Sequence, residues 1–325
     1  MGIRHLNRFF RENAADSMKV ISLAEISGKK IAIDINIYMH KYAADNSLIE
    51  NIYAMLSVFR HYNIIPVFIF DGKPPPEKKE LLMKRREDRK TALTEYNNLQ
   101  NMLSNNDVID ETEKQEIIGQ MDILKRNFVQ IKKNDIEIVQ KLIIAYGATY
   151  YEAIGEADEL CAFLTIKGKV WGTLSEDMDM FVYGCPNVIR YLSLLNHSAV
   201  LYNTKSILQQ LGVSQKELRE ICILSGSDYN NHEDTITLHI TLKLFKKYVK
   251  ERKKTNNNDV EFYEWLLENT NHIQDYGLLQ NIYDMFDVNK DNDNLKVFEK
   301  MRIANGSISK EDIREILKSD GFLYP

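Results

Sequence analysis

"IIPVFIFDG", residues 64–72, is a short apolar run that ends in an aspartate and a glycine. A run of this length and composition predicts a buried strand that ends at Asp71. Upstream, "KKIAIDINIYMH" (residues 29–40) predicts another strand with Asp34 near its end, and "IENIYAMLSVFRHY" (residues 49–62) between them has helical periodicity. This alternation is typical of an α/β fold with a mostly parallel central sheet flanked by helices.

Similar alternation continues downstream of a long helical region. Helices are predicted in residues 73–99, where prolines precede a charged helix, and in residues 114–147, which end at Gly147. Residues 230–325 are polar and helix-rich. The remaining predicted elements are strands at "ATYYEA" (148–153), "KVWGTLSEDMD" (169–179), "NVIRYL" (187–192) and "SAVLYN" (198–203), a helix entered from "GEADELCAFLTIKG" (155–168), and helical structure from residue 204 up to the final turn of a segment ending at 229.

Composition excludes several classes of protein. The net charge of −5 argues against a histone-like or RNA-coating protein, although it leaves room for a local basic groove. Cys161, Cys185 and Cys222 are scattered, as expected for buried free thiols of an intracellular protein. No apolar run approaches the ~20 residues that span a bilayer, and the N-terminus lacks the core of a signal peptide. We therefore expect a soluble protein of a reducing compartment.

Seven acidic residues follow apolar segments or open a helix, at positions where ligands bind in α/β sheets. In "LSEDMDMFVYG" (residues 174–184), two of them are two apart, so on a strand both would point to one face. Taken singly, each acid is better explained as a turn residue or as a charge at a helix N-terminus. The seven are Asp34, Asp71, Glu156, Asp158, Asp177, Asp179 and Asp228.

Together, these acids would repel one another unless cations neutralised them. Oxygen ligands select hard cations such as Mg²⁺, which keeps several waters. Two such ions ~3.5–4 Å apart can stabilise the attacking and leaving oxygens of a phosphodiester. The sequence therefore predicts a divalent metal site at the carboxyl edge of the sheet.

Two basic features accompany the acids. Lys78 and Arg85 are seven residues apart, so on a helix they share a face close to Asp71 in sequence, where Arg could bind a phosphate bidentately. "LKLFKKYVKERKK" (residues 242–254) would form a positive helical face suited to duplex phosphates. A solvated charged helix is the alternative interpretation of both features.

These motifs resemble the flap endonuclease–XPG family of structure-specific 5′ nucleases over nearly the whole chain. The resemblance rests on six motifs in the family's order: "MGI", "KKIAIDINIY", "PVFIFDGKPPPEKKELLMKR", "GEADELCAFL", "LSEDMDMFVYG" and "CILSGSDY". It implies a PIN-like 5′-nuclease fold with a helical arch. It also implies four regions, which are residues 1–95 (N-terminal nuclease region and base of the arch), 96–147 (arch and connection), 148–235 (internal nuclease region) and 236–325 (helical DNA-binding region with a degenerate helix–hairpin–helix).

The resemblance also implies an activity and its residues. The expected enzyme is a Mg²⁺-dependent 5′ flap endonuclease and 5′–3′ exonuclease of DNA replication or repair, with two ions that Mn²⁺ could replace. The seven acids match the family's direct and water-mediated metal ligands, and Lys78 and Arg85 match its catalytic basic pair. Branched DNA, meaning a 5′ flap or a nicked or gapped duplex, is the expected partner. The expected DNA-contacting residues are Gly2, Lys84, Lys243, Lys246, Lys247 and Lys250.

Some family features are missing. Relatives have a glycine-rich hairpin that binds a monovalent cation, but the matching "NNHEDTITLHITLKLFKK" (residues 230–247) has no glycine, which argues against a K⁺ site. No aromatic motif for the sliding clamp is found. We expect a monomer without membrane attachment, in the nucleus, or at a cytoplasmic replication site if the source is viral. Two alternatives stay open: a nuclease acting mainly on RNA or RNA–DNA hybrid, and an inactive nucleic-acid-binding scaffold.

Overall fold

The computed structural model describes residues 3, 5–105, 111–230, 237–255, 260–290, 293–319 and 321 of the 325-residue chain. Contacts divide the chain into two compact units, each made of segments that are not consecutive in sequence. Unit 1 comprises residues Met1–Asp34, Val58–Pro74 and Tyr151–Ala304, and unit 2 comprises Ile35–Ser57, Pro75–Tyr150 and Asn305–Pro325. The four regions inferred from the sequence stay a prediction.

The described strands form a seven-stranded sheet in the order β1-β7-β6-β5-β2-β3-β4. The pairs β2–β3, β2–β5 and β5–β6 are parallel, and β1–β7 and β6–β7 are antiparallel. The predicted α/β fold class is therefore confirmed, as a mixed sheet with a parallel centre. The strands are β1 (Met18–Ser22), β2 (Lys30–Asp34), β3 (Ile65–Phe70), β4 (Thr149–Glu152), β5 (Gly172–Leu174), β6 (Asn187–Ser193) and β7 (Ser198–Asn203).

The described helices are mostly short, apart from α4 and α5 in the region predicted as the arch and α11 in the C-terminal region. They are α1 (Leu6–Asn13), α2 (Ile35–Ala44), α3 (Leu48–His61), α4 (Lys79–Asn105), α5 (Glu111–Phe128), α6 (Lys133–Ala145), α7 (Ala157–Ile166), α8 (Asp179–Tyr183), α9 (Thr204–Leu211), α10 (Gln215–Leu224), α11 (Leu238–Thr255), α12 (Phe262–Asn269), α13 (Tyr276–Met285), α14 (Asp293–Lys296) and α15 (Lys310–Ser319). None of them combines the length and the apolar character that crossing a membrane requires.

Strand boundaries differ from the predicted ones in three places. The segment at residues 29–40 is a strand only as far as Asp34, after which α2 begins. The segment at residues 169–179 is a strand only over β5. Strand β1 was not predicted, because Ile21 is its single buried residue and an edge strand of this kind lacks apolar alternation. The helical segment that starts at residue 204 is interrupted at Gly212, whose φ is +64°.

The centre of unit 1 is an apolar cluster between the sheet and its helices. Strands β2 and β3 are buried on both faces, as expected for parallel strands covered by helices. Phe181 on α8 packs edge-on against Phe10 of α1, with ring centroids 5.1 Å apart, and also contacts Tyr202 of β7. All three cysteines are buried and reduced, which confirms the prediction of free thiols.

Unit 2 contains the long helical region. Helices α4 and α5 pack together, with Tyr96 and Phe128 in edge-to-face contact at 5.1 Å. Gly147 stops the segment after α6 with a φ of +66°, and its carbonyl oxygen accepts the backbone N–H of Gly306 at 2.6 Å. A side chain at Gly147 would meet this backbone, since an added Cβ would lie 2.4 Å from the carbonyl oxygen of Ser307. The segment leading to α15 is thereby held to α6.

One buried acid in unit 1 lies outside the carboxylate set. Glu220 on α10 is 3% exposed, and burial raises its pKa from 4.5 to about 8. Lys216 lowers this pKa, whereas Glu261, Glu217 and Glu264 raise it further. Since Lys216 also forms an ion pair with Glu261, its charge is shared between two carboxylates. Glu220 is therefore protonated in the folded protein at neutral pH.

We expect Glu220→Gln to stabilise the protein at alkaline pH. Between about pH 4.5 and about pH 8 the unfolded chain has released the proton of Glu220 while the folded chain keeps it, so folding stability falls as pH rises. Glutamine removes this dependence and should add on the order of 2–4 kcal/mol at pH 9 and almost nothing near pH 4. Urea unfolding at both pH values measures the effect, with the exposed Glu268→Gln as control. Parallel stability–pH curves for Glu220→Gln and the parent protein would contradict the prediction.

Candidate active site

Three of the seven acids lie where parallel strands end. Asp34 is the last residue of β2, Asp71 follows β3 directly, and Asp177 comes three residues after β5. Because these three strands are parallel, their carboxyl ends lie at the same edge of the sheet. The structure thus brings together acids that are far apart in sequence.

Asp177 and Asp179 of the "SEDMD" segment (residues 175–179) are not on a strand, contrary to the prediction. The chain leaves the sheet at Leu174, and α8 begins at Asp179. A hydrogen-bond chain holds this segment instead. Ser175 Oγ donates to Asp34 Oδ2 at 3.2 Å and accepts the N–H of Asp177 at 3.1 Å, and Asp177 Oδ1 accepts the N–H of Asp179 at 3.0 Å. We call residues 175–179 the acidic loop. Backbone turns, and not strand alternation, place the carboxylates of Asp177 and Asp179.

The other acids cluster at the start of α7. Glu156 is the N-cap of this helix and Asp158 lies in its first turn, where the helix dipole favours negative charge. Asp71 Oδ1 accepts the N–H of Ala157 at 2.8 Å, which ties the end of β3 to the same helix start. The hydroxyl of Tyr229 donates to Glu156 Oε2 at 2.8 Å, and Asp228 directly precedes Tyr229 in the chain.

Buried neighbours of these acids show that the two groups share one electrostatic environment. Burial raises the pKa of the Cys161 thiol well above its usual range, and the charges of Asp34, Asp158 and Asp71 raise it further. Burial likewise raises the pKa of Tyr229, with added contributions from Asp158, Glu156 and Asp179. The thiol and the phenol thus each experience the charges of acids from both groups.

The donor set suits a hard divalent cation. Asp34, Asp158 and Asp179 are buried, with exposures of 6%, 8% and 1%, and a buried carboxylate is costly unless a cation or hydrogen bonds compensate it. Within the part of the chain that the structure describes, no three His, Cys, Asp or Glu side chains are already grouped to hold one ion. Mg²⁺ fits such an arrangement, because it keeps several waters and takes few carboxylates directly.

The predicted basic pair lies in unit 2. Lys78 ends a short 3-10 turn (Pro76–Lys78) and is buried, at 6% exposure. Arg85 is half-buried on α4, and the predicted DNA contact Lys84 beside it is exposed. Lys78 therefore precedes α4, so the two basic residues do not share one regular helix as predicted.

The predicted DNA-binding lysines of unit 1 line one helix. All four lie on α11 and are exposed, and Lys247 is 5.7 Å from the ring centre of Trp265. Gly2 lies outside the described residues, as does part of the segment assessed for a K⁺ site (residues 231–236). These four lysines are Lys243, Lys246, Lys247 and Lys250.

Sequence reasoning missed Ser175 and Tyr229. Ser175 is fully buried and joins Asp34 to the acidic loop, and Tyr229 holds Glu156. Ser175 lies two residues before Asp177 and Tyr229 directly follows Asp228, but nothing in their residue types distinguishes them from ordinary turn residues. Only their hydrogen bonds identify them as part of the site.

Comparison with known families gives two matches in sequential order. The XPG N-terminal domain matches residues 1–92 and the XPG I-region matches residues 147–228. Together they cover more than half of the chain. They contain all seven acids and both members of the basic pair.

Full-length relatives are similar over most of this chain. Flap endonuclease 1 of Cryptosporidium muris is 30% identical over 276 residues, which are 76% of this chain and 56% of that protein. Flap endonuclease 1 of Cryptosporidium parvum is 28% identical over 282 residues, which are 76% of this chain and 54% of that protein. The chain thus spans a little over half the length of these relatives.

A solved structure shares the fold. The catalytic core of Rad2 in complex with DNA substrate superimposes with a TM-score of 0.65 at 21% identity, covering 98% of this chain and 94% of that one. At this identity the likeness establishes the fold alone.

Proposed function

The chain belongs to the flap endonuclease–XPG family, and from this premise we propose that it is a Mg²⁺-dependent, structure-specific 5′ nuclease. Its substrate would be branched DNA, cut beside a junction of single strand and duplex in replication or repair. The observation that supports the proposal is the placement of Asp34, Asp71 and Asp177 at the carboxyl ends of parallel strands, with Asp71 hydrogen-bonded to the start of α7. The names of the relatives and the DNA bound in the Rad2 structure support DNA as substrate.

The residues of the site divide into two roles in this proposal. The seven acids would hold two Mg²⁺ ions, directly or through water. Bound Mg²⁺ would supply an activated water and neutralise charge on the phosphate. Lys78 and Arg85 would bind the scissile phosphate, the arginine through two parallel hydrogen bonds. Ser175 and Tyr229 would keep Asp34 and Glu156 in place.

Further properties belong to the same proposal. Mn²⁺ would replace Mg²⁺, because it is also a hard cation suited to carboxylate ligands. We infer a monomer without a K⁺-binding hairpin or clamp motif, acting in the nucleus or, for a viral source, at a cytoplasmic replication site. Gly2 and Lys84 would contribute to DNA contact together with the lysines of α11.

Cleavage of an end-labelled 5′-flap DNA tests the proposal. We expect cuts clustered at the junction with Mg²⁺ and no cuts with EDTA. An RNA flap of equal length, assayed beside it, distinguishes the substrates. Preferential RNA cutting would replace DNA by RNA as the substrate, and binding without any cutting would replace the enzyme by a nucleic-acid-binding scaffold.

The salt dependence of binding tests the α11 surface. We expect the double variant Lys243→Gln/Lys250→Gln to weaken flap binding and to reduce the slope of log K against log salt by about 2, because each phosphate contact contributes about 1. Fluorescence anisotropy in EDTA at several salt concentrations gives this slope. Lys19→Gln/Lys290→Gln is the matched control, since both lysines are in surface ion pairs away from α11. Equal slopes for the two double variants would exclude α11 as the DNA surface.

A further inference from the structure

A buried arginine lies against the acidic loop. Arg190 of β6 is only 6% exposed, and its guanidinium contacts two residues of the loop. It donates to the carbonyl oxygen of Glu176 at 2.9 Å and to Met178 Sδ at 2.8 Å, and its Nε is 3.6 Å from Glu176 Oε2. These contacts are to the main chain and to side chains, so they constrain the path of the loop itself.

The loop alternates between two sets of partners. Its odd-numbered residues, Ser175, Asp177 and Asp179, form the hydrogen-bond chain that starts at Asp34. Its even-numbered residues, Glu176 and Met178, contact Arg190. The guanidinium therefore holds the residues between the acids. A shift of Arg190 would move the backbone that carries both carboxylates.

A β-bulge aims Arg190 at the loop. The pairing of β6 with β7 is irregular between Arg190 and Ser193, and Tyr191 has a φ of +55°. Such a conformation costs about 1–3 kcal/mol for a non-glycine residue and persists where surrounding contacts impose it. Here the backbone N–H of Tyr191 donates to Glu176 Oε1 at 2.6 Å. The bulge thus lets two successive residues of β6 bind one carboxylate of the loop.

Helix α1 fixes the guanidinium from another direction. Asn7 Oδ1 accepts a hydrogen bond from Arg190 at 3.0 Å and another from the hydroxyl of Tyr202 at 2.8 Å. Asn7 Nδ2 donates to the hydroxyl of Tyr191 at 2.8 Å. The ring centres of Tyr191 and Tyr202 lie 4.9 Å and 5.5 Å from the guanidinium carbon. Contacts from three elements leave Arg190 little freedom.

We propose that Arg190 and Glu176 are positioning residues that set the spacing of Asp177 and Asp179 for divalent-metal binding. The inference rests on the proposed function, because it assigns these two acids to a metal. Residues that orient metal ligands from behind typically change metal affinity by about 10- to 100-fold when they are replaced. Arg190 and Glu176 act through the loop and do not touch the substrate.

Mn²⁺ binding without DNA is the primary test. We expect Arg190→Lys to weaken Mn²⁺ binding about tenfold or more, measured by calorimetry or by the paramagnetic resonance of free Mn²⁺. Lysine keeps the charge but cannot reproduce the planar set of donors that Glu176, Met178 and Asn7 share. Flap binding in EDTA should change less than about twofold, and raising Mn²⁺ should restore much of kcat.

A second variant and a control separate positioning from folding. Glu176→Gln keeps the size of the side chain and an oxygen that can accept the N–H of Tyr191. We expect it to weaken Mn²⁺ binding as well, so it provides the test if Arg190→Lys does not fold. Arg8→Lys is the matched control, because Arg8 lies on the same helix as Asn7 but is exposed and pairs with Glu12 at 2.7 Å. Unchanged Mn²⁺ affinity in folded Arg190→Lys and Glu176→Gln would overturn the inference. Failure of the parent protein to bind Mn²⁺ or to cut flap DNA would instead overturn the proposed function.

Discussion

Replacing Asp34 by asparagine is expected to lower kcat on 5′-flap DNA by about 10³-fold. Asparagine keeps the shape of the side chain and an oxygen that can accept the hydrogen bond from Ser175 Oγ, so the fold should survive. It removes one negative charge from a set whose proposed task is to bind metal. Lewis-acid stabilisation contributes several kcal/mol, and each 1.36 kcal/mol is a factor of ten in rate.

Single-turnover cleavage and flap binding in EDTA together measure this effect. Binding should stay within a few-fold of the parent protein, because the loss concerns the chemical step. Asp16→Asn is the matched control, since Asp16 is an exposed acid of the same unit and should cut at the parental rate. Turnover of Asp34→Asn within tenfold of the parent would contradict the two-metal assignment.

Replacing Gly72 by alanine is expected to damage both the fold and the site. An added Cβ would lie 2.0 Å from the carbonyl oxygen of Ala153 and 2.7 Å from that of Ile154, and backbone atoms cannot easily move aside. The N–H of Gly72 also donates to the carbonyl oxygen of Gly155 at 2.8 Å. The close approach of residues 153–155 to Gly72 therefore brings the backbone beside Asp71 next to the backbone beside Glu156. Overpacking typically costs about 1–3 kcal/mol, and a displacement of about 1 Å at a site can cost 10² in rate.

Thermal unfolding and cleavage rates of Gly72→Ala test this prediction. We expect a melting temperature several degrees lower, at about 2–4 °C per kcal/mol, and a cleavage rate reduced about 10²-fold or more. Gly277→Ala is the control, because Gly277 lies in α13, is exposed and has room for a methyl group. Helical Gly→Ala changes usually stabilise by up to about 1 kcal/mol. A Gly72→Ala protein as stable and active as Gly277→Ala would show that the backbone around Gly72 tolerates a side chain.

The central strands and the acids at their ends could be predicted from the sequence. Strands β2 and β3 are buried on both faces, so they appear as uninterrupted apolar runs, and Asp34 and Asp71 mark their ends. The positive face of α11 could also be predicted, because its lysines recur with helical spacing and are exposed. In each case the local sequence alone carries the signal.

The acidic loop could not be predicted, because its conformation depends on distant partners. The apolar run from Met180 to Tyr183 suits a strand as well as a helix, and tertiary contacts decide between them. Gly184, with a φ of +95°, ends the helix but does not indicate where it begins. No local sequence pattern predicts the contacts of Arg190 or the bulge at Tyr191 either. Hydrogen bonds to Glu176 and Asn7, remote in the chain, give them their place.

The hydrogen bond between Ser175 and Asp34 joins residues 141 positions apart in the chain. Asp71 accepts the N–H of Ala157 at the start of α7, and Tyr229, which binds Glu156, lies 73 positions further along the chain than Glu156. During synthesis, the ribosome must therefore release most of unit 1 before the carboxylates can meet. A nascent or prematurely terminated chain would carry several of the acids but no assembled site.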